Sequence, residues 1–331
     1  MKSAFVTGAT GFVGLNLVEE LVRQGWEVTA LHRAKSDLTE LGRFPVTLMP
    51  GDITDPGSLR AAMAEDMDVI FHVAGNTNLW SRRNAQQTRE NVEGTRNVVE
   101  TALARRAKKL VLTSSIAAYG PQSGELTEAT KSTAARSWIN YQRTKWLAEK
   151  EVRKGIRAGL LATIVNPGAI IGRYDSGGWA RLFYFVAEDR LPGVLPGEVS
   201  AAHVGEVAKA HIAAAERGKI GENYILAGTR TSFAEILGII AELLGKPAPK
   251  RILSPGLLRV IARMQVVRAA ITGKPPQLTP ESVALSSRSI RCPSLKAQEE
   301  LGFKIVPIKT MLQECYEWLV ATGRLKVGRR P

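Results

Sequence analysis

The chain has 331 residues, 44% of them hydrophobic, and its 45 Lys and Arg against 31 Asp and Glu give a formal charge of +14. This is the balance of a soluble globular protein with one large core, or a core plus a smaller lobe. No apolar run reaches the roughly 20 residues that span a bilayer, since residues 159–172 are interrupted by Asn166 and Pro167. The positive charge is spread out. Its densest cluster, Arg105, Arg106, Lys108 and Lys109, falls where a helix gives way to a strand and carries no interleaved aromatics, so nucleic acid is not an expected partner. Cys292, Cys315 and the four histidines show no ligand or redox spacing, and no metal is expected.

In chain order, residues 3–6 read as a short apolar strand that enters a turn with glycines at 8, 11 and 14, followed by an amphipathic helix over 12–22. Glycines so placed suit a tight turn, close approach of backbone to a pyrophosphate, and packing of the helix on the strand. The contacts expected from this turn are Gly8, Thr10, Gly11, Phe12, Val13 and Gly14. The N-terminus enters the strand without a signal-peptide core, which makes cytoplasmic residence the expectation. Strand-like runs at 27–32, 46–49, 69–74, 110–114 and 161–165 alternate with helical patterns, among them 89–104 and 138–157. Alternation of this kind predicts an α/β fold, a doubly wound parallel sheet with helices on both faces.

Beyond Pro167 the pattern loosens around glycines and prolines. Residues 204–216 and 223–226 read as a helix and a strand returning to the main sheet. The expected organisation is a nucleotide-binding domain over 1–167, rejoined by 203–228, with a smaller discontinuous lobe from 168–202 and 229–331. Residues 252–274 mix apolar residues with Arg259, Arg263 and Arg268. That pattern fits either a helix on a membrane surface or, preferred here, a lobe helix whose apolar stripe faces a pocket.

Tyr141 and Lys145 lie four residues apart in a helical pattern, hence on one face, and Ser114 and Ser115 end the strand before them. In an open parallel sheet the ligand crevice lies beyond the carboxyl ends of the strands. The glycine turn, Val73-Ala74-Gly75, Thr113 to Ser115 and Pro167-Gly168 with Ile170 would meet there. Dinucleotide folds that select NAD place an acid at the end of the second strand, whereas this chain has His32, Arg33, Lys35 and Ser36. Cations at that position suit a 2′-phosphate, so Arg33 and Lys35 point to NADP(H) over NAD(H). Asp52 and Ile53 would flank the adenine.

These motifs together resemble the extended short-chain dehydrogenase/reductases, the NAD-dependent epimerase/dehydratase superfamily. The resemblance rests on TGATGFVG at 7–14, Gly51-Asp52-Ile53, His72-Val73-Ala74, Asn91-Val-Glu-Gly-Thr95, Ser115, Tyr141 with Lys145, and Asn166-Pro167-Gly168. Segments 273–282 and 294–303 resemble dihydroflavonol 4-reductase-like members. Related members include 3β-hydroxysteroid dehydrogenases and sugar-nucleotide epimerases, and a dimer through the helices of Asn91 and Tyr141 is common among them. The resemblance implies Tyr141 as general acid or base, with Lys145 favouring its phenolate and holding the nicotinamide ribose. Ser115 would bond the substrate oxygen, and Asn91 would hold the active-site helix or a water. One departure is His203-Val-Gly205-Glu206-Val207, where the usual first acid is absent and the helix cap there is in question.

Substrate contacts are expected from Asn76, Trp80, Trp138, Trp179 and Phe183, besides Ser115. Their aromatic character suits a ring or a long acyl chain, and the expected reaction interconverts a ketone and a secondary alcohol on a hydrophobic small molecule. A nucleotide-sugar epimerase or dehydratase is the alternative, with Arg173, Arg181 and Arg190 available for a pyrophosphate. A non-catalytic NADP(H) sensor is a third reading, disfavoured because both Tyr141 and Lys145 are present.

Overall fold

Short apolar runs suit a parallel sheet covered by helices, and seven strands build one here, with the edge strand at 47–50 mostly exposed. In the computed structural model, which describes residues 1–249, 251–287 and 289–326, these strands are β1 (Ser3–Thr7), β2 (Glu27–His32), β3 (Thr47–Pro50), β4 (Val69–His72), β5 (Lys109–Thr113), β7 (Ala162–Pro167) and β10 (Asn223–Leu226). The lobe expected over 229–331 therefore runs outside the described residues from 327 onward. All seven strands are parallel, in the order β10-β7-β5-β4-β1-β2-β3. The order reverses at β1, whose neighbours β2 and β4 lead away in opposite directions, so the carboxyl end of β1 is the switch point where such sheets open a crevice.

On one face, α1 (Phe12–Arg23), α7 (Val204–Arg217) and α11 (Leu295–Leu301) bury Leu17, Leu21, Ile212, Ala214 and Leu301 against the strands. The opposite face is covered by α2 (Pro56–Ala62), α4 (Gly94–Ala104) and α5 (Asn140–Arg157), through Leu59, Val98, Val99, Ala102 and Val152. A further core joins α6 (Arg181–Ala187), α8 (Phe233–Leu244) and α12 (Ile308–Ala321) to a small sheet. In that sheet β9 (Glu198–His203) lies between β8 (Ala169–Ile171), parallel to it, and β11 (Arg230–Ser232), antiparallel. β6 (Gly124–Glu125) pairs with β12 (Ile290–Arg291). α9 (Pro255–Thr272) and α10 (Pro280–Ser286) each start at a proline, whose missing N–H costs nothing there.

Three local expectations change. The helix read over 89–104 begins earlier, at α3 (Asn84–Thr88), and passes through a π-helical turn at Arg89–Glu93 before α4. α7 keeps its cap without an acid at 205, because His203 Nδ1 accepts from the Glu206 N–H at 3.3 Å while its Nε2 lies 2.7 Å from Glu314. A Cβ at Gly205 would sit 2.9 Å from that imidazole, which leaves little room for a larger residue. In α9 the pocket expectation holds for one flank only: Ile261, Met264, Gln265 and Arg268 line a shallow cavity with Arg190 and Gln277, while Leu257, Val260, Val267 and Ile271 face outward and Leu258, Ala262 and Ala269 pack inward.

The turn after β1 is tight enough to demand its glycines. Gly8 has φ of 71°, and a Cβ there would lie 2.6 Å from the Ala74 nitrogen; at Gly14 it would lie 2.1 Å from the Gly8 carbonyl oxygen. A Gly14→Ala variant must therefore push α1 off β1. Chemical denaturation should show a loss of about 1–3 kcal/mol, with the denaturant slope unchanged.

Candidate active site

The strand ends at the switch point open into one cleft of about 770 Å³, within the size range of small-molecule and cofactor sites. Its walls are Gly8, Thr10, Gly11, Phe12, Val13 and Gly14 from the turn, Arg33 after β2, Asp52 and Ile53 after β3, and Val73, Ala74 and Gly75 after β4. Thr113 and Ser115 come from the end of β5, Tyr141 and Lys145 from the first turns of α5, and Pro167, Gly168 and Ile170 from the end of β7. α1 begins at Gly11 with no side-chain cap and no acid in its first turn, so the free N–H groups at its start face the cleft ready for an anion. Lys35 is exposed and lies outside the cleft walls. The exposed Arg33 guanidinium lies 3.9 Å from Glu90, itself a wall residue.

Tyr141 and Lys145 share the inner face of α5. The Lys145 ammonium donates to the Thr113 carbonyl at 2.8 Å, and burial lowers its pKa to about 8 against the opposing pull of Glu149. Burial also raises the Tyr141 pKa, opposed by a hydrogen bond with Ser115. Of these two influences on Tyr141 burial is the larger, and the bond to Thr113 uses one of the three N–H groups of Lys145. The Ser115 hydroxyl also accepts from the Ala117 N–H at 3.1 Å, capping the short turn Ile116–Tyr119. Asn91 sits in the π-helical turn, where its Oδ1 accepts from the Asn76 N–H at 2.6 Å and its Nδ2 donates to Thr144 at 3.0 Å. It thereby ties the loop after β4 to the helix of Tyr141.

Two buried networks were not read from the sequence. Thr7 donates to His72 Nδ1 at 2.8 Å, His72 Nε2 donates to Thr95 at 2.9 Å, and Thr95 donates to the Asn91 carbonyl at 2.7 Å. This tautomer follows because Thr95 spends its only proton on Asn91. In the second network Glu149, one turn beyond Lys145, accepts from Ser114 at 2.5 Å, Asn166 at 2.7 Å and Asn223 at 3.2 Å. The i, i+4 spacing from Lys145 was the available signal for Glu149.

The expected substrate aromatics divide. Trp179 lines the cleft and stacks on Phe233 with ring centroids 5.7 Å apart. Phe183 is fully buried in the α6–α8–α12 core, stacked on Tyr316, and Trp80 is buried beneath Arg82 and Arg83. Trp138 is 57% exposed and outside the cleft walls, while Asn76 pins the loop through Asn91 and Glu90. The cleft instead takes Tyr174, Trp318 and Arg324. Trp318 and Arg324, near the end of the chain, gave no sequence signal linking them to the glycine turn.

The basic cluster is neutralised locally: Arg105 and Arg106 pair with Glu65 and Asp66, Lys108 pairs with Asp68, and Lys109 donates to the Gly218 carbonyl. Among the described residues no helix is long and apolar enough to cross a membrane, and no group of three or more His, Cys, Asp or Glu side chains is placed to hold a metal.

Residues 4–227 match the model of the NAD dependent epimerase/dehydratase family. The chain belongs to that family. Like other extended short-chain dehydrogenase/reductases, it carries the Rossmann-type sheet. A Synechocystis protein named "Putative dihydroflavonol 4-reductase" is 32% identical over 330 residues, covering 97% of this chain and 96% of that one. Sterol demethylase protein B of Methylococcus capsulatus is 29% identical over 329 residues, covering 98% of this chain and 100% of that one. Among solved structures, gox2253 superposes with a TM-score of 0.85 at 31% identity, over 98% of this chain and 100% of that one. The family's nicotinamide dinucleotide fits these walls, because the uncapped start of α1 and the glycine backbone offer N–H donors where a pyrophosphate would lie.

Burial holds His72 at about 3 and His211 at about 4, both below the unfolded value near 6.5. As pH falls the unfolded chain takes up these protons first, so their stabilisation is full above about pH 6.5 and drains away towards pH 4. His211→Gln should flatten the fall in unfolding free energy between pH 6.5 and 4.5 by about 1.4 kcal/mol per pH unit, measured by urea titration at each pH. In a second prediction, Glu149→Gln removes the carboxylate that supports the charge on Lys145 and should move the alkaline limb of the kcat/KM profile to lower pH.

Proposed function

We propose that this family member is an NADP(H)-dependent oxidoreductase that reduces a ketone to a secondary alcohol on a hydrophobic, ring-containing substrate, and runs the reverse oxidation. In this reading 1–167 with 203–228 hold the cofactor, and 168–202 with 229–331 form the substrate lobe. The observation that carries it is the meeting of Tyr141, Ser115 and Lys145 in the same cleft as the glycine turn. A bound nicotinamide supplies the hydride. Ser115 and Tyr141 together receive the substrate oxygen, and as negative charge develops there Ser115 donates a hydrogen bond and Tyr141 Oη passes its proton to that oxygen. Lys145 keeps its ammonium at neutral pH, held towards the cleft by the Thr113 carbonyl, and serves the nicotinamide ribose. Burial raises the Tyr141 pKa and so disfavours its phenolate, which suits the acid role in reduction.

Tyr174, Trp179 and Trp318 give the lobe side of the cleft apolar, planar surface suited to a ring system. The names of the Synechocystis and Methylococcus relatives, a dihydroflavonol reductase and a sterol-processing protein, point to the same substrate class. The preference for NADP(H) rests on Arg33 and Ser36 at the end of β2, with no acid at His32.

A nucleotide-sugar epimerase or dehydratase is the second reading, and it draws on Arg324, a lobe cation in the cleft wall. The other arginines considered for it are engaged elsewhere. Arg173 pairs with Glu19, while Arg181 and Arg190 lie over Phe185. Tight retention of NAD through purification would favour this reading.

NADPH oxidation against a panel of steroid ketones, dihydroflavonols and aromatic ketones tests the proposal. Tyr141→Phe should lose about 10²–10⁴ in kcat with cofactor binding intact. Arg33→Ala should raise the NADPH KM by about tenfold or more, the worth of one contact to a charged group, and leave the NADH KM unchanged. Equal effects on both cofactors would contradict a 2′-phosphate contact.

A further inference from the structure

α9 displays on its outer side what globular helices bury. Leu257, Val260, Met264, Val267 and Ile271 are between 41% and 81% exposed. At 3.6 residues per turn these five fall within roughly 80° of arc, opposite the buried Leu258, Ala262 and Ala269, and form a stripe about 21 Å long. Leu258 and Ala262 pack with Leu253 and Val283, so the helix is held by its inner side; the stripe stays exposed, with Met264 and Arg268 at the rim of an open cavity shared with Arg190 and Gln277. Arg263 borders one edge of the stripe, with Arg259 further round the helix on the same side, and Arg268 borders the other edge. All three are exposed, residues 255–272 contain no acid, and none of these arginines forms an ion pair among the described residues.

From this arrangement we infer that α9 is a docking surface for an anionic membrane. The apolar stripe enters the boundary between headgroups and acyl chains, and the flanking arginines take lipid phosphates. Charge decides between this and a second copy of the chain. A two-fold dimer through the stripe would bring the arginine edges of two identical helices together, with no acid on either helix to answer them. An anionic surface answers all of them. The chain's charge of +14 acts in the same sense over longer range. This surface lies outside the cleft walls, so it stands independently of the reaction proposed above.

Co-sedimentation with vesicles tests it, using phosphatidylcholine alone and phosphatidylcholine mixed with phosphatidylglycerol at about 0.15 M salt. The protein should bind the mixed vesicles at least about tenfold more tightly, and raising the salt should weaken the binding. Met264→Glu combined with Val267→Glu should abolish binding. Arg259→Glu with Arg263→Glu and Arg268→Glu should remove the preference for phosphatidylglycerol. Both variants should keep the wild-type melting temperature and cofactor affinity; if the stripe variant melts early, the single change Ile271→Glu replaces it, and if the arginine variant does, Arg263→Gln with Arg268→Gln replaces that one. Failure of the wild type to sediment with either vesicle, or equal binding by the variants, would overturn the inference. So would a lipid-free dimer, seen in analytical ultracentrifugation, that Met264→Glu with Val267→Glu dissolves, because it would give the stripe to a second copy.

Discussion

His72 ends β4 with no exposed surface, and both of its ring nitrogens are in use. Through Thr7 it reaches the strand that enters the glycine turn, and through Thr95 it reaches the helix segment that carries Asn91. A buried polar group without a partner is costly, so these bonds hold three elements in one relative placement. The Thr7 hydroxyl also accepts from the Ala74 N–H at 3.2 Å, close to where Gly8 passes the same backbone. The positions of the glycine turn, the loop after β4 and, through Asn91 and Thr144, the start of α5 thus follow from one satisfied network. Such networks specify geometry more than they add stability.

The second constraint is on the inner face of α5. Lys145 and Tyr141 lie on a helix whose inner face is polar, which would be unfavourable without partners. Thr113 meets the ammonium, Ser115 meets the phenol, and Glu149 collects Ser114, Asn166 and Asn223 from three neighbouring strand ends. Burial acts on the two groups with opposite sign, lowering the lysine and raising the tyrosine. Burial thus disfavours the charged form of each, the ammonium of Lys145 and the phenolate of Tyr141.

The Rossmann half was legible because its signals are local. Short apolar runs, period-3.6 patterns, the glycine turn and the Tyr141–Lys145 offset each lie within a few residues, and the strand ends converge by topology alone. The lobe was less legible, since the direction an aromatic side chain faces depends on how distant elements pack. Phe183 and Trp80 fill cores and Trp138 faces outward, whereas Trp318 reaches the cleft from a helix near the end of the chain. The same limit applies to α9, whose stripe was visible in the sequence while the side it faces was not. His203 shows a motif departure repaired locally, with an imidazole doing the capping that an acid was expected to do.

The central claim is net hydride delivery to a carbonyl under the control of Tyr141, and deuterium transfer tests it most directly. With NADPH deuterated at the transferable C4 position and an apolar ring ketone, the alcohol produced should carry one deuterium at the carbinol carbon, and Tyr141→Phe should form that labelled product far more slowly. Turnover of a nucleotide sugar with no deuterium in the product and no net cofactor consumption would contradict the account and assign the cleft to epimerase chemistry.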